Sequence, residues 1–440
     1  MPAGSAALLA AAWLLSSQAS QAASPPQSPP SPSAPRVAFD GYIGLLADVL
    51  PRKDAVEFRP SVLFDLSTDV RGVKLQAEAA IEGLAARRGE TVTHAAVRAR
   101  DIWAEFASGR VEVRAGYGRV IWGRLDEIQP SDVINPIDAA RFLLDGRSEA
   151  RLPVGFVRTR VFAGESMTFE GVFVPFFRRG WFDQRDEPTS PFNLINDAVL
   201  PAGVTLAHDD PRQEEPAATW SNVSGGGRVS ATIGRVDVAG GIYRGFDAFG
   251  PITLELTGPP ILELAPSVAG ELVEWHPRFT MVSGDFETVQ GDWAMRGEVA
   301  IFPERTFAAV GRGGLVSGRS LDAGAGVERR AGDYRLFASA ILHREWSSEG
   351  VGGTTPYRRT DVSLVGSVER PFRRDAWLAR VFGIMNPVDR SGFLRGLVLW
   401  KPRDNVTWEF SAATFLGTSD DSIGRFKGRD FVFARLKYHF

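Results

Sequence analysis

The 440-residue sequence has no cysteine, which excludes disulfides and Cys-ligated metal sites. It has no run of about 18 apolar residues, which excludes a membrane-spanning helix. An excess of one charge is missing too: 50 Lys and Arg against 53 Asp and Glu leave a net charge of -3, with no basic stripe of the kind nucleic acid requires. Histidine is scarce. His94, His208, His276, His343 and His439 have no Ser or Asp at a recognisable catalytic spacing, and G-x-S-x-G, H-E-x-x-H and phosphate-cradling loops are absent. His343 with Glu345 is the best candidate catalytic pair, and the bracing of a wall explains it equally well. His208, Asp209 and Asp210 are adjacent loop residues without the further ligands a cation needs, so neither metal nor cofactor is expected.

What is present is dispersed hydrophobicity. Apolar residues make up 44% of the chain, yet the mean hydropathy is only -0.09. Residues 6–15 form a short apolar core followed by the small residues Ser20-Gln21-Ala22, although residues 1–5 carry no Lys or Arg. The expected organisation is a secretory signal peptide over 1–23, a Pro/Ser-rich periplasmic lead-in over 24–36, and a single β-domain over 37–440.

From Val37 onward, alternating segments of about 9–13 residues recur, the length a tilted membrane strand needs. Val73, Leu75, Ala77, Ala79 and Ile81 oppose Lys74, Gln76, Glu78 and Glu82; Val406, Trp408, Phe410 and Ala412 oppose Thr407, Glu409 and Ser411. Short connections at 67–72, 107–109, 163–166, 233–235, 289–292, 330–333, 372–374 and 401–405 alternate with longer ones at 47–55, 84–93, 121–153, 176–223, 246–275, 304–319, 347–358, 386–391 and 416–428. The pattern predicts an all-β fold, a single closed antiparallel transmembrane β-barrel of about 18 strands, with 16 as the alternative because the boundaries near Val37 and Gly225 are open. Both ends of the chain fall on the short-turn, periplasmic side.

The last strand fits. Val432, Ala434, Leu436, Tyr438 and Phe440 share one face, Phe433, Arg435, Lys437 and His439 the other. An apolar alternation closing on a terminal Phe resembles the C-terminal signal of bacterial outer-membrane barrels, which implies outer-membrane lipid and the barrel-assembly machinery as partners. Trp293, Tyr334, Trp377, Trp400, Trp408, Tyr438 and Phe440 stand beside short turns on apolar faces, where an aromatic girdle at the membrane boundary is expected.

The opposite face carries many charges, so a hydrated lumen is expected. Most of these brace and solvate the wall; Arg114, Arg158 and Arg160 form a candidate basic cluster for anionic or polar solutes, with nearby acidic residues opposing strong selectivity. The segment 121–153 is the most distinctive. Asn135 is placed to cap a helix that begins at Pro136 and runs through Leu144, with Asp138 in its first turn. Either this loop folds into the barrel, putting Asp126, Asp138, Arg141 and Arg147 at a constriction, or it lies over the rim as a lid. The segment 176–223 reads as a long extracellular loop.

Here the sequence resembles an uncharacterised family of proteobacterial porin-like outer-membrane proteins. The matching residues are Gly118-Arg119-Val120-Ile121-Trp122-Gly123, Asp126, Asp132-Val133-Ile134-Asn135-Pro136-Ile137-Asp138, Arg151-Leu152-Pro153, Val172–Phe177 and Ala434–Tyr438. The resemblance implies an outer-membrane location and passage of apolar or lipid-like substrates, and supplies no catalytic or ligand residues. The expected function is a porin-like channel rather than an enzyme. A barrel hydrolase and a secreted all-β binding protein are the alternatives; oligomeric state is left open.

Overall fold

The computed structural model describes residues 37–139, 141–142, 146–181, 204–206, 208, 211–256, 268–309, 314–350, 356–419 and 421–440. The expected signal peptide and lead-in, and the pair Asp209-Asp210, lie outside the described residues.

Seven strands come first: β1 (Val37–Leu50), β2 (Ala55–Val70), β3 (Val73–Arg88), β4 (Glu90–Ser108), β5 (Val111–Gly118), β6 (Val154–Ala163) and β7 (Met167–Val174). Two excursions then carry four short strands, β8 (Val204–Leu206), β9 (Arg212–Glu214), β12 (Ile252–Leu256) and β13 (Val268–Trp275), around the wall strands β10 (Ser224–Ile233) and β11 (Val236–Phe246). The wall resumes with β14 (Arg278–Gln290), β15 (Trp293–Ala309), β16 (Gly314–Ala331), β17 (Tyr334–Gly350), β18 (Pro356–Phe372), β19 (Trp377–Asn386), β20 (Ser391–Arg403), β21 (Val406–Leu416) and β22 (Phe431–His439).

Eighteen of these form one antiparallel sheet, in which β7 pairs with β10, β11 with β14, and β22 returns to β1. The sheet is a closed 18-stranded barrel, the larger of the two predicted counts. Closure pairs the two edge strands that an open sheet would expose. The terminal residue seals the seam: Phe440 and Gly41 exchange backbone hydrogen bonds of 3.1 and 3.2 Å. The Phe440 ring lies so close that a Cβ on Gly41 would meet it at 2.8 Å, and the Leu63 carbonyl oxygen at 2.2 Å. Only glycine fits there.

The turns at one end are as short as the alternation predicts. The β2–β3 turn is Arg71-Gly72 with φ of 56° and 82°, the left-handed pair that a two-residue hairpin demands. At the other end four connections are shorter than expected. The predicted loop 84–93 reduces to Gly89 between β3 and β4; β1 and β2 are joined by 51–54; β15 reaches Ala309 and β17 reaches Gly350. Gly, Pro and charged residues interrupt the apolar alternation in these stretches, and backbone pairing alone continues the hairpins there.

The outward side is apolar. Leu364, Val368, Val381, Leu394, Phe410 and Val432 are exposed there. Trp377 faces Trp400, which faces Trp408, on three consecutive strands, and the first two rings stack at 5.4 Å. Trp293, Tyr334, Tyr438 and Phe440 are exposed at the same end.

The interior is only in part the hydrated lumen expected. It holds two buried apolar clusters, one around Phe142, Phe382, Phe393, Phe415, Phe431 and Phe433, the other around Trp122, Phe156, Tyr243, Phe279 and Phe302. Beyond the rim, β13 pairs antiparallel with β12 and parallel with β8 and β9. Alternation does not reveal this small sheet, because β8, β9 and β12, of 3, 3 and 5 residues, are too short to show a period.

Candidate functional site

Strand length decides where the site lies. β5 has 8 residues and β6 has 10, about half of β4 with its 19. The chain therefore leaves the wall at Gly118, partway up the barrel, and residues 119–153 turn inward. Of the two arrangements left open by the sequence, this is the inward-folded one.

The loop crosses the lumen and is tied down on both sides. At the far wall, the Glu298 carboxylate on β15 accepts hydrogen bonds from the backbone N–H groups of Arg124, Leu125 and Ser131, and from the Ser131 hydroxyl at 2.9 Å. Arg124 donates to Asp285 at 2.6 Å, and Arg296 donates to Asp126 at 2.5 Å. Arg380 on β19 donates to Glu127 at 2.7 Å. At the near wall Arg141 forms a two-pronged pair with Glu82, at 2.6 and 2.5 Å. Paired guanidinium and carboxylate groups with additional hydrogen bonds are what make such charges tolerable away from bulk water.

Within the loop, Asn135 does not cap the helix as the sequence predicts. Its amide oxygen accepts from the Val120 N–H at 2.7 Å, and its NH2 donates to the carbonyls of Leu152 and Gly118 at 2.9 and 3.3 Å. Fully buried, it pins the outgoing and returning arms together. The capping role passes to Asp138, whose side chain accepts from the Arg141 N–H at 3.2 Å. A short helix, α1 (Arg147–Ala150), follows, and Arg151 donates to Asp132 and Gln129 at 2.8 and 2.6 Å.

All four proposed constriction residues sit in the crossing loop, and the three with described side chains occupy two separate places: Asp126 against β15, Asp138 and Arg141 against β3 and β4, where Arg98 also reaches Asp138 at 3.5 Å. Arg147 opens α1, and its side chain lies outside the described residues. Burial, opposed by Arg296, pushes the Asp126 carboxyl up to about 6.

Arg114, Arg158 and Arg160 are neighbours on β5 and β6, as the alternation predicts. They do not concentrate positive charge, because Glu105, Glu112 and Glu170 interleave with them at 2.6, 2.9 and 2.8 Å. His343 has Asp322 on Nδ1 and Glu345 on Nε2, the latter at 2.9 Å. With carboxylates on both ring nitrogens it braces β16 and β17, and among the described residues no hydroxyl is hydrogen-bonded to it.

The loop forms one wall of three pockets. Toward the rim, a pocket with about 1030 Å³ of free space, counting its mouth, is lined by Phe246, Phe249, Phe279, Phe302 and Phe307 and by Asp247, Arg305, Asp322 and Glu345. Toward the short turns, one pocket of about 550 Å³ meets Arg141 and Glu149, and another of about 300 Å³ meets Asp126 and Glu127. Alternation put Glu82 on the inner face, but nothing in the sequence marked Glu82, Glu298 or Arg380 as a loop anchor; Arg124 and Glu127 carried no signal beyond their nearness to Asp126.

No family model matches the chain, and no curated protein matches its sequence. Among solved structures, the chain is similar to Pseudomonas aeruginosa OccK5 (OpdH), at 9% identity and a TM-score of 0.47, covering 92% of this chain and 97% of that one. OpdK from the same organism, solved with vanillate, is similar at 9% identity and 0.48 over 92% and 98% of the two chains. OccK2 (OpdF), solved in complex with glucuronate, is similar at 12% identity and 0.44 over 92% and 97%.

Proposed function

We propose that the chain is a porin-like channel of the bacterial outer membrane, in which the 119–153 loop is the constriction that solutes must pass. The observation that carries this reading is the loop itself, tethered at opposite walls and separating a rim-side pocket from two pockets on the turn side. A barrel built only as an anchor has no need of a charged partition across its interior. The outward apolar face and the aromatic residues at one end suit lipid, and the paired charges inside suit water.

The solutes are small, and the lining favours molecules with both an apolar body and a polar group. Five Phe residues in the rim-side pocket offer apolar contact; Arg305 and its carboxylate neighbours offer polar contact beside it. Entry into such a pocket, followed by displacement of the loop's ion pairs, describes a substrate-gated route.

Planar-bilayer recording tests the reading. The purified protein should give small discrete conductance steps, and deletion of residues 126–146 should enlarge them several-fold while heat-modifiable gel mobility shows an intact barrel. An intact deletion variant with unchanged conductance would overturn the assignment of the constriction.

A further inference from the structure

We infer that the outer face of β16–β18 carries a binding site for phosphate-bearing lipid headgroups, formed by Arg319, Arg344 and Arg358 around Trp346. The inference rests on the membrane reading above and goes beyond it.

The three arginines lie on adjacent strands and face outward. Register places Arg319 opposite Trp346, Trp346 opposite Arg358, and Arg344 two residues along β17. Neighbouring strands are about 4.8 Å apart, so the three side chains stem from a patch roughly 10 Å across. Arg319, Arg344 and Arg358 are exposed, and among the described residues none of them makes an ion pair or a hydrogen bond to another side chain. Glu304, exposed at the bulge of neighbouring β15, makes no ion pair with Arg319.

Height identifies the ligand. On β17 the outward series runs Tyr334, Leu336, Ala338, Ala340, Leu342, Arg344, Trp346, and its first apolar stretch begins at an aromatic residue of the turn end. Trp346 lies 12 residues beyond Tyr334 on β17, about 40 Å along a strand at roughly 3.3 Å per residue. With a tilt of about 40° the vertical separation is roughly 30 Å, the thickness of the hydrocarbon layer. Trp346 therefore stands at the second membrane boundary. The guanidiniums begin where the apolar band stops, after Leu342 on β17 and before Leu321 and Val362 on β16 and β18.

The opposite boundary supplies the contrast. There Arg329 lies over the Trp293 ring at 4.8 Å, and Arg370 lies over Tyr334 at 4.9 Å and reaches Asp333 at 3.8 Å. Those arginines are satisfied within the protein. The rim-side three are not, and clustered guanidiniums at headgroup depth complement phosphate oxygens, while Trp346 and the apolar band below contact the acyl chains.

The test uses the purified full chain in phosphatidylcholine nanodiscs with added lipid A, in bisphosphorylated and dephosphorylated forms, and counts lipid A retained per protein by mass spectrometry. The protein and an R329Q/R370Q control should retain the bisphosphorylated form at least tenfold over the dephosphorylated one; an R319Q/R344Q/R358Q variant should lose that preference. Equal retention by the triple variant would overturn the site. Displacement of the lipid by millimolar inorganic phosphate would overturn the lipid as its ligand. Failure of the chain to enter nanodiscs at all, with solubility in the absence of detergent, would instead defeat the membrane reading beneath it.

Discussion

Two sides of the barrel solve different problems. β15–β18 run 17 or 18 residues each and pair with one another along most of their length, apart from local bulges. β5–β7 run 8–10 residues, and the chain between β5 and β6 goes into the lumen rather than up the wall. The tall side is made by hairpin pairing and an apolar outer face; its interior charges pair locally, as Arg335 does with Glu328 at 2.7 Å. The low side gives up height, and the residues so released build a crossing loop whose charged groups are tied to β3, β14, β15 and β19, with Trp122 held by Glu170 on β7 besides. A wall can be specified by local alternation, whereas a partition needs partners brought from across the ring.

The sharpest break in that comparison is at Glu298. Replacing it with Ala strands three backbone N–H groups and Ser131, each an unmet polar group in a buried position. The docked loop should lose roughly 4 kcal/mol. Tryptic cleavage after Arg124 should then rise by about a thousandfold, the equivalent of that energy at about 1.4 kcal/mol per decade, with the barrel still heat-modifiable. An unchanged cleavage rate would mean that the loop is held by its apolar residues alone.

The tall wall makes the opposite prediction. Leu364 pairs with Ala340, halfway between Tyr334 and Trp346 on β17, and faces outward. Leu364→Arg should cost about 2–4 kcal/mol in unfolding from lipid, the price of a cation at the bilayer midplane. Ser367→Arg, on the inner face beside Asp126, Glu328 and Glu369, should cost under about 1 kcal/mol. Equal costs would show that the two faces are not lipid and water. A smaller effect is expected at Trp400, wedged between Trp377 and Trp408: Trp400→Ala should cost about 1 kcal/mol.

The comparison also accounts for what the sequence disclosed. Strand number, the outward apolar series, the aromatic residues beside the short turns and the identity of the long loop are all local, so they are legible from period and punctuation. The docking of the loop is not. Arg124 and Glu298 are 174 residues apart, and Arg380 and Glu127 are 253 apart. Asn135 shows the limit within one segment: Asn-Pro before an amphipathic stretch has the form of a helix start, but three backbone partners outcompete the cap. The Arg114, Arg158 and Arg160 cluster shows it for charge, because Glu105 and Glu170 lie on the flanking strands and neutralise it. The inward Phe residues gave no warning of a dry cluster, since each has only one or two per strand.

The last prediction concerns Asp126, where the loop meets the tall wall. Its carboxyl is raised from 3.8 to about 6, burial outweighing the attraction of Arg296. A carboxyl whose folded pKa exceeds its unfolded value binds protons more tightly when docked. Its contribution to docking is therefore fully present below about pH 4 and is lost as pH rises to about 6. Acidification from pH 7 to 4.5 should hold the loop more firmly, against the intuition that losing the Arg296 ion pair would free it. In bilayer recordings loop-dependent opening events should become rarer at pH 4.5, and Asp126→Asn should flatten that part of the pH dependence while leaving the Glu298 anchor in place. More frequent opening at low pH in the unaltered protein, abolished by the same substitution, would mean that the ion pair outweighs desolvation at this position, and that the partition is held by charge on this wall as it is by Arg141 and Glu82 on the other.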